Sequence, residues 1–460
     1  MNHSLPDLVF PAIAGRPVIG RFDGGELSSD AGLLLVAEAD RVLGLTAALS
    51  AVLPDRRQQS KVQHDLLSML RERIYAIALG YEDANDLDTL REDPALKLAC
   101  GRRPSQTGVL ASQPTISRLE NAVAAKALLN MGYVIAERVV AQLPKGTKEV
   151  VLDIDATSDP CHGQQELSLF DGHYGTWGYL PLLMHITDQT GRQRLLGTLL
   201  RSACGRSTKG VIGMVRRAVR VVRARFPHVR IHLRGDCGFG YGKLMNWCDK
   251  HGVEYVAAFQ ATKPLIRMTL PVQIRTAIKH AWEGDGCREY GEVLYQGETW
   301  DRERRIIIKA EASAKAVDAR FVVTSWTREK EGERADMVEV HRFYTERGDR
   351  ENRIKEMKLD LASGRTSCHR FVANQFRLLL HTAACVLMGV LQQACEGTRW
   401  NKAQVGTLRV RLLKVAVRVV ESCRKIWLHL PTSFPEQTIW HHMFQTLQKL
   451  APDKLNWGSA

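Results

Sequence analysis

The chain has 460 residues, 45% hydrophobic and 25% charged, and a net charge of +14. That length predicts two to four domains, and the composition excludes a disordered or fibrous chain. The positive balance favours a polyanionic partner, nucleic acid or an anionic membrane surface.

The N-terminus, "MNHSLPDLVFPAIAGRP", has no basic segment followed by a long apolar run, so no signal peptide is expected. Ten scattered cysteines without a C-x2-C pair argue against a disulfide framework or a zinc ribbon. A reducing cytoplasm is the expected compartment. Residues 1–145 read as a mostly helical N-terminal domain. "SSDAGLLLVAEADRVLGL" offers Ser28, Ser29 and Asp30 as caps, and Val62, Leu66, Leu70, Ile74 and Ile77 form one helical stripe that Gly80 can end. The acidic cluster 82–93 reads as caps and solvated turns rather than a metal site. In "ASQPTISRLENA", Ser112 can cap a helix that projects Thr115, Ser117 and Arg118 near its start. Short polar and Arg side chains so placed suit a DNA groove, and equally suit any capped surface helix.

From Lys148 the texture turns β-rich. "KEVVLDIDATSD", "YLPLLMHITD" and "QRLLGTLLRSA" are three strands, followed by an amphipathic Arg-rich helix, the strand "VRIHLRGDCGFG", a short helix and the strand "VEYVAAF". This order predicts an α/β domain with a mixed sheet, interrupted by β-rich residues 260–340 and resumed over 341–400. "FRLLLHTAACVLMGVLQQA" contains Arg377 and His381 and reads as a buried helix, not a membrane span. Residues 401–460 form a basic C-terminal region, in which the period of "TLRVRLLKVAVRVVESCRKIWLHLP" fits a strand pair or a helix.

Three carboxylates stand out. Asp153 and Asp155 are two apart in an apolar strand and so share a sheet face; a solvated strand end is the plain alternative. Asp236 follows a second strand between Gly235 and Gly238. Glu351 lies on a helix that Asp349 can cap, seven residues before Lys358 on the same face. Three carboxylates converging there can hold two Mg2+ ions for in-line phosphoryl transfer. Beside such a site Tyr344, Arg347 and Lys358 suit phosphate oxygens, although helix-face charge pairs such as Glu351 with Lys355 have the same spacing.

At these residues the chain resembles the DDE transposases of bacterial insertion sequences. Tyr344, Arg347, Glu351 and Lys358 match the Y-(2)-R-(3)-E-(6)-K signature of the insertion-sequence-4 superfamily at every interval. "SSDAGLLL", "GYEDANDLDTLR", "LASQPTISRLEN", "LDIDATSDPCHGQQ", "GYLPLL", "RGDCGF" and "NQFRLLL" are similar to its insertion-sequence-1380 branch. The resemblance implies an RNase H-like core interrupted by a β-rich insertion. It also implies catalytic, metal-binding Asp155, Asp236 and Glu351, with Asp153 the lesser choice for the first Asp. The cofactor implied is Mg2+, two ions, with Mn2+ able to substitute. Tyr344, Arg347 and Lys358 would contact double-stranded transposon-end DNA, joined by Ser117 and Arg118 if their helix reads DNA. A homodimer or larger synaptic assembly in a bacterial cytoplasm is implied, with no membrane partner. A silent DNA-binding regulator and a nuclease without strand transfer remain alternatives. Trp300 and Trp326 are expected in the core rather than stacked on an unpaired base, and Cys161 and His162 in a structural turn.

Overall fold

The computed structural model describes residues 6–105, 108–203 and 208–450, without the side chains of Lys330 and residues 348–351. The chain forms two compact units. One comprises residues 1–42, 57–116 and 390–460, and the other residues 43–56 and 117–389.

The larger unit is built on one eight-stranded sheet. Its strands are β1 (Glu149–Ala156), β2 (Leu182–Asp188), β3 (Gln193–Leu199), β4 (Arg230–Gly235), β5 (Glu254–Phe259), β6 (Arg288–Tyr295), β7 (Arg304–Ala312) and β8 (Val317–Thr324). Their spatial order is β6-β7-β8-β5-β4-β1-β2-β3. β1, β2 and β3 form an antiparallel meander, whereas β4 runs parallel to β1 and β5 parallel to β4. The parallel strands need crossovers, and helices Val211–Arg225 and Gly242–Lys250 supply them. All five main-sheet strands and both helices of 148–259 lie where the alternation and helical periodicity predict them.

The expected β-rich insertion differs in two ways. It opens with helices Lys263–Met268 and Leu270–Glu283, each with a proline in its first turn, where the missing N–H costs nothing. Its strands then extend the main sheet, because β8 pairs antiparallel with β5 across Val256–Phe259. Trp300 and Trp326 are 7% and 2% exposed, so both are core residues.

Off the end of β1 a small sheet forms from Asp159–Pro160, Leu169–Asp171 and Thr176–Tyr179. Gly178 is required there, since a Cβ would meet the Asp159 carbonyl oxygen at 2.2 Å. The apolar helix Phe371–Ala394 is long enough to cross a membrane, yet 83% of its most apolar window is buried inside the protein, as expected of a core helix.

The smaller unit contains helices Leu66–Ala78, Pro94–Ala99 and Gln437–Leu450. The acidic stretch does cap: Asp83 accepts from the Asn85 amide, Asp93 from that of Leu96 and Asp88 from that of Gln113. Two features depart from a mostly helical N-terminal segment. Leu8–Ile13 and Arg16–Gly20 pair as an exposed hairpin, and Leu27–Ser28 joins the C-terminal strands Val417–Glu421 and Ile426–His429 in a sheet. The basic C-terminal run, whose period was ambiguous, is both: helical turns Val405–Leu408 and Arg409–Leu413 come first, and the strand pair follows.

Candidate active site

β1 and β4 run parallel in a register that sets Arg234 opposite Asp153 and Gly235 opposite Ile154. Asp155 at the end of β1 and Asp236 just beyond β4 are thereby neighbours at the carboxyl ends of adjacent strands, where open α/β sheets present ligands. Each uses its Oδ1 locally. The Ala156 amide donates to Asp155 at 2.8 Å, and the Gly238 amide donates to Asp236 at 2.8 Å. Their Oδ2 atoms face one guanidinium: Arg347 Nη2 lies 2.5 Å from Asp155 and 3.8 Å from Asp236.

Burial pushes the Asp155 carboxyl up, Arg347 pulls it down and Asp236 pushes it up again, with a net upward shift. Burial works against the Arg347 charge, but Asp155 and Asp236 outweigh it and raise its pKa. Glu351 lies on helix Arg350–Lys355, which follows Arg347 closely; its side chain is outside the described residues.

The other expected residues divide. Lys358 sits on a π-helical turn, Glu356–Asp360, and its Nζ donates to the Ser158 carbonyl at 2.8 Å, three residues past Asp155. Tyr344 is half-buried against the cluster of Val256, Ile307, Val322, Trp326 and Val340. Ser117 and Arg118 lie on helix Gln113–Ala122. Ser117 is half-buried with its carbonyl accepting from Asn121, and Arg118 is exposed. No described contact brings these two to the carboxylate pair. Cys161 packs at the margin of an apolar cluster with Tyr179 and Leu183. An apolar cavity lined by Leu128, Ile135, Met184 and Leu196 contains none of the expected site residues.

Sequence reasoning missed the partner of Asp153 and several further groups. Asp153 is buried and paired with Arg234, whose Nε donates to Oδ1 at 2.8 Å and whose Nη2 reaches Oδ2 at 3.3 Å. Deeper along the same sheet face His232 is fully buried between Glu149 at 3.1 Å and Glu254 at 2.9 Å. Burial opposes its charge, and the two facing carboxylates more than offset that. Arg201 is buried, which pulls its pKa down to about 10, and Asp236 lies within its electrostatic reach. Tyr174, on the turn of the small sheet, is pushed up by burial and then by Asp155, Asp171 and Asp236. The i,i+2 alternation of 149–155 and of 232–236 was the available signal for the row of charges. It did not show which charges pair.

The fold and site define a mixed α/β protein with paired acidic residues at the carboxyl ends of neighbouring parallel strands. The chain belongs to the family described as transposase DDE domain group 1, whose profile matches residues 10–452. It is a DDE transposase by family, with DNA as the substrate that membership implies. A search of curated proteins gave no match.

Proposed function

We propose that the protein cuts DNA at the ends of its own insertion sequence and joins those ends to target DNA by two-metal phosphoryl transfer. Within the family we assign it to the insertion-sequence-4 superfamily, insertion-sequence-1380 branch, on the Tyr344, Arg347, Glu351 and Lys358 spacing. The strand order β3-β2-β1-β4-β5, with one antiparallel meander and two parallel additions, supports an RNase H-like core.

The observation that carries the reading is the pair of Oδ2 atoms of Asp155 and Asp236 facing one cationic group supplied by the signature segment. Among the described residues no set of three His, Cys, Asp or Glu gathers for a metal. The two aspartates nonetheless form a hard-oxygen donor pair aimed at one positive charge, which fits Mg2+ or Mn2+. Asp155, Asp236 and Glu351 would hold the ions. Bound there, two ions supply a lowered pKa for the attacking water or 3′-hydroxyl and a counter-charge for the leaving oxygen.

The chain's own groups perform the rest. Arg347 is a planar cation suited to a phosphate, and Lys358 delivers a point charge beside the same strand end. Their phosphate contacts set the register of the cut without reading bases. Duplex ends held by two copies make a homodimer or larger synaptic assembly the working form. Ser117 and Arg118 would add contacts away from the cut.

The test is excision of a marker flanked by the DNA ends that neighbour the gene, comparing wild type with Glu351→Gln, which keeps size and removes charge. Excision by wild type alone supports the reading. Equal excision by both removes Glu351 from the mechanism. End binding without excision by either points to a DNA-binding regulator.

A further inference from the structure

Arg234 is 4% exposed, and every direction of its guanidinium is used. Nε and Nη2 grip the Asp153 carboxylate on the neighbouring strand. Nη1 donates to the carbonyl oxygen of Phe343, in the last turn of helix Met337–Thr345, and lies 3.7 Å from Glu346. The plane stacks over the Phe343 ring at 4.5 Å. Helix ends leave carbonyls without intrahelical donors and carry partial negative charge, so a buried arginine there satisfies both.

A buried Arg–Asp pair is a poor source of stability, because stripping water from both ions offsets their attraction; its best-attested use is fixing one arrangement against others. Here the arrangement concerns the chain immediately downstream. Phe343 is followed by Tyr344, and four residues on Arg347 meets Asp155 and Asp236. Arg234 and Asp153 precede Asp236 and Asp155 by two residues each, at paired positions of β4 and β1. A single sheet face thus carries the acidic pair and, directly beneath it, the grip on the segment that feeds the site.

We infer that Arg234, held by Asp153, is a positioning residue that clamps the end of helix Met337–Thr345 to the sheet and so sets where Arg347 and the helix bearing Glu351 enter the site. This rests on the proposed function for the meaning of that placement, and the clamp itself is testable without it. The clamp also gives Asp153 a task distinct from metal binding, since both its carboxylate oxygens are occupied by Arg234.

The test uses full-length protein with Arg234→Met and Asp153→Leu combined, which removes both charges and leaves no unpaired buried ion. Four quantities are read: melting temperature, hydrogen exchange of amides 337–347, affinity for end DNA, and single-turnover cleavage. The expected result is a melting temperature close to wild type, faster exchange confined to 337–347, end-DNA affinity within about threefold, and cleavage reduced by roughly a hundredfold, as for a misplaced reacting group. Arg234→Lys is expected to restore little, because a point charge cannot hold the carboxylate and the carbonyl together. Unchanged exchange over 337–347 in the folded double variant overturns the clamp whether or not the wild type cuts DNA. Wild-type cleavage by a double variant with loosened 337–347 overturns the positioning role. Failure of the transposase reading shows separately, as end binding without excision by either wild type or Glu351→Gln.

Discussion

Arg347 and Asp155 are 192 positions apart in the chain, yet the guanidinium donates to the carboxylate at 2.5 Å. The contact joins the signature segment to β1 and leaves the same nitrogen within 3.8 Å of Asp236. Two carboxylates thus share one positive group, and changing that group changes what they do to added cations. In Arg347→Ala the aspartates lose the one guanidinium that both face. Mg2+ is expected to raise the melting temperature of Arg347→Ala more than that of wild type, because the ion no longer competes with the guanidinium. End-DNA binding is expected to weaken across sequences, with the salt slope reduced by about one. Identical Mg2+ shifts in the two proteins would contradict a shared focus for the two carboxylates.

Gly178 governs the small sheet at the end of β1. A side chain would drive into the Asp159 carbonyl, which is backbone and has nowhere to retreat. Gly178→Ala is expected to cost about 1–3 kcal/mol, the range for forced overpacking. Strand exchange there should also loosen the Ser158 carbonyl that receives Lys358. A melting curve superimposable on wild type would show that the strand pair shifts freely.

Two buried carboxyls give stability a negative slope with pH. Burial pushes Asp159 to about 7, partly opposed by the Thr366 hydroxyl and by Lys358. Burial likewise pushes Glu72 to about 8 against the Ala111 amide. Both bind protons more tightly folded than unfolded, so stability declines as pH rises from about 4 through those values and then levels. Each group accounts for no more than about 4–5 kcal/mol. Asp159→Asn should flatten its share of the slope below pH 7, measured by denaturant unfolding at several pH values. A slope unaltered by the substitution would reassign it to other groups.

Glu149 acts in the opposite sense. His232 and Arg334 hold its carboxyl well below the usual range, against burial. Its contribution is full above the ordinary glutamate value and disappears as pH falls through the folded one. Glu149→Gln is expected to lower stability by about 1–3 kcal/mol at pH 7, since it strands part of a buried charge network. The difference should shrink in acid. A constant difference from pH 7 to pH 3 would mean that ionisation of Glu149 contributes nothing.

Much of the larger unit was legible in the sequence because its strands are short, apolar and separated by plain turn signals. β1 through β5, their crossover helices and the proximity of Asp155 to Asp236 all follow from that texture. Helices Lys263–Met268 and Leu270–Glu283 were not read. Their apolar residues Leu270, Ile274 and Ile278 face solvent, so the hydrophobic pattern did not report burial. The prolines at their first turns were the available cue. The joining of Leu27–Ser28 to Val417–Glu421 is a pairing across nearly the whole chain, and no local pattern encodes it. The roles of Asp153 and Arg234 were hidden for a related reason. Alternation says that both face one side, whereas their partnership depends on register between strands.

The continuity of the sheet has a practical consequence for the insertion. β5, "EYVAAF", is an interior strand because β8 pairs along it and β7 and β6 follow outward. Excising residues 260–340 would leave β5 as an open edge, with buried Tyr255, Val256 and Ala257 beside unpaired amides and carbonyls. Such an edge invites strands from other molecules. A shortened protein of this kind is thus expected to accumulate as insoluble material, and a trimmed version for study would need a redesigned border strand, with charge or proline on its outer side.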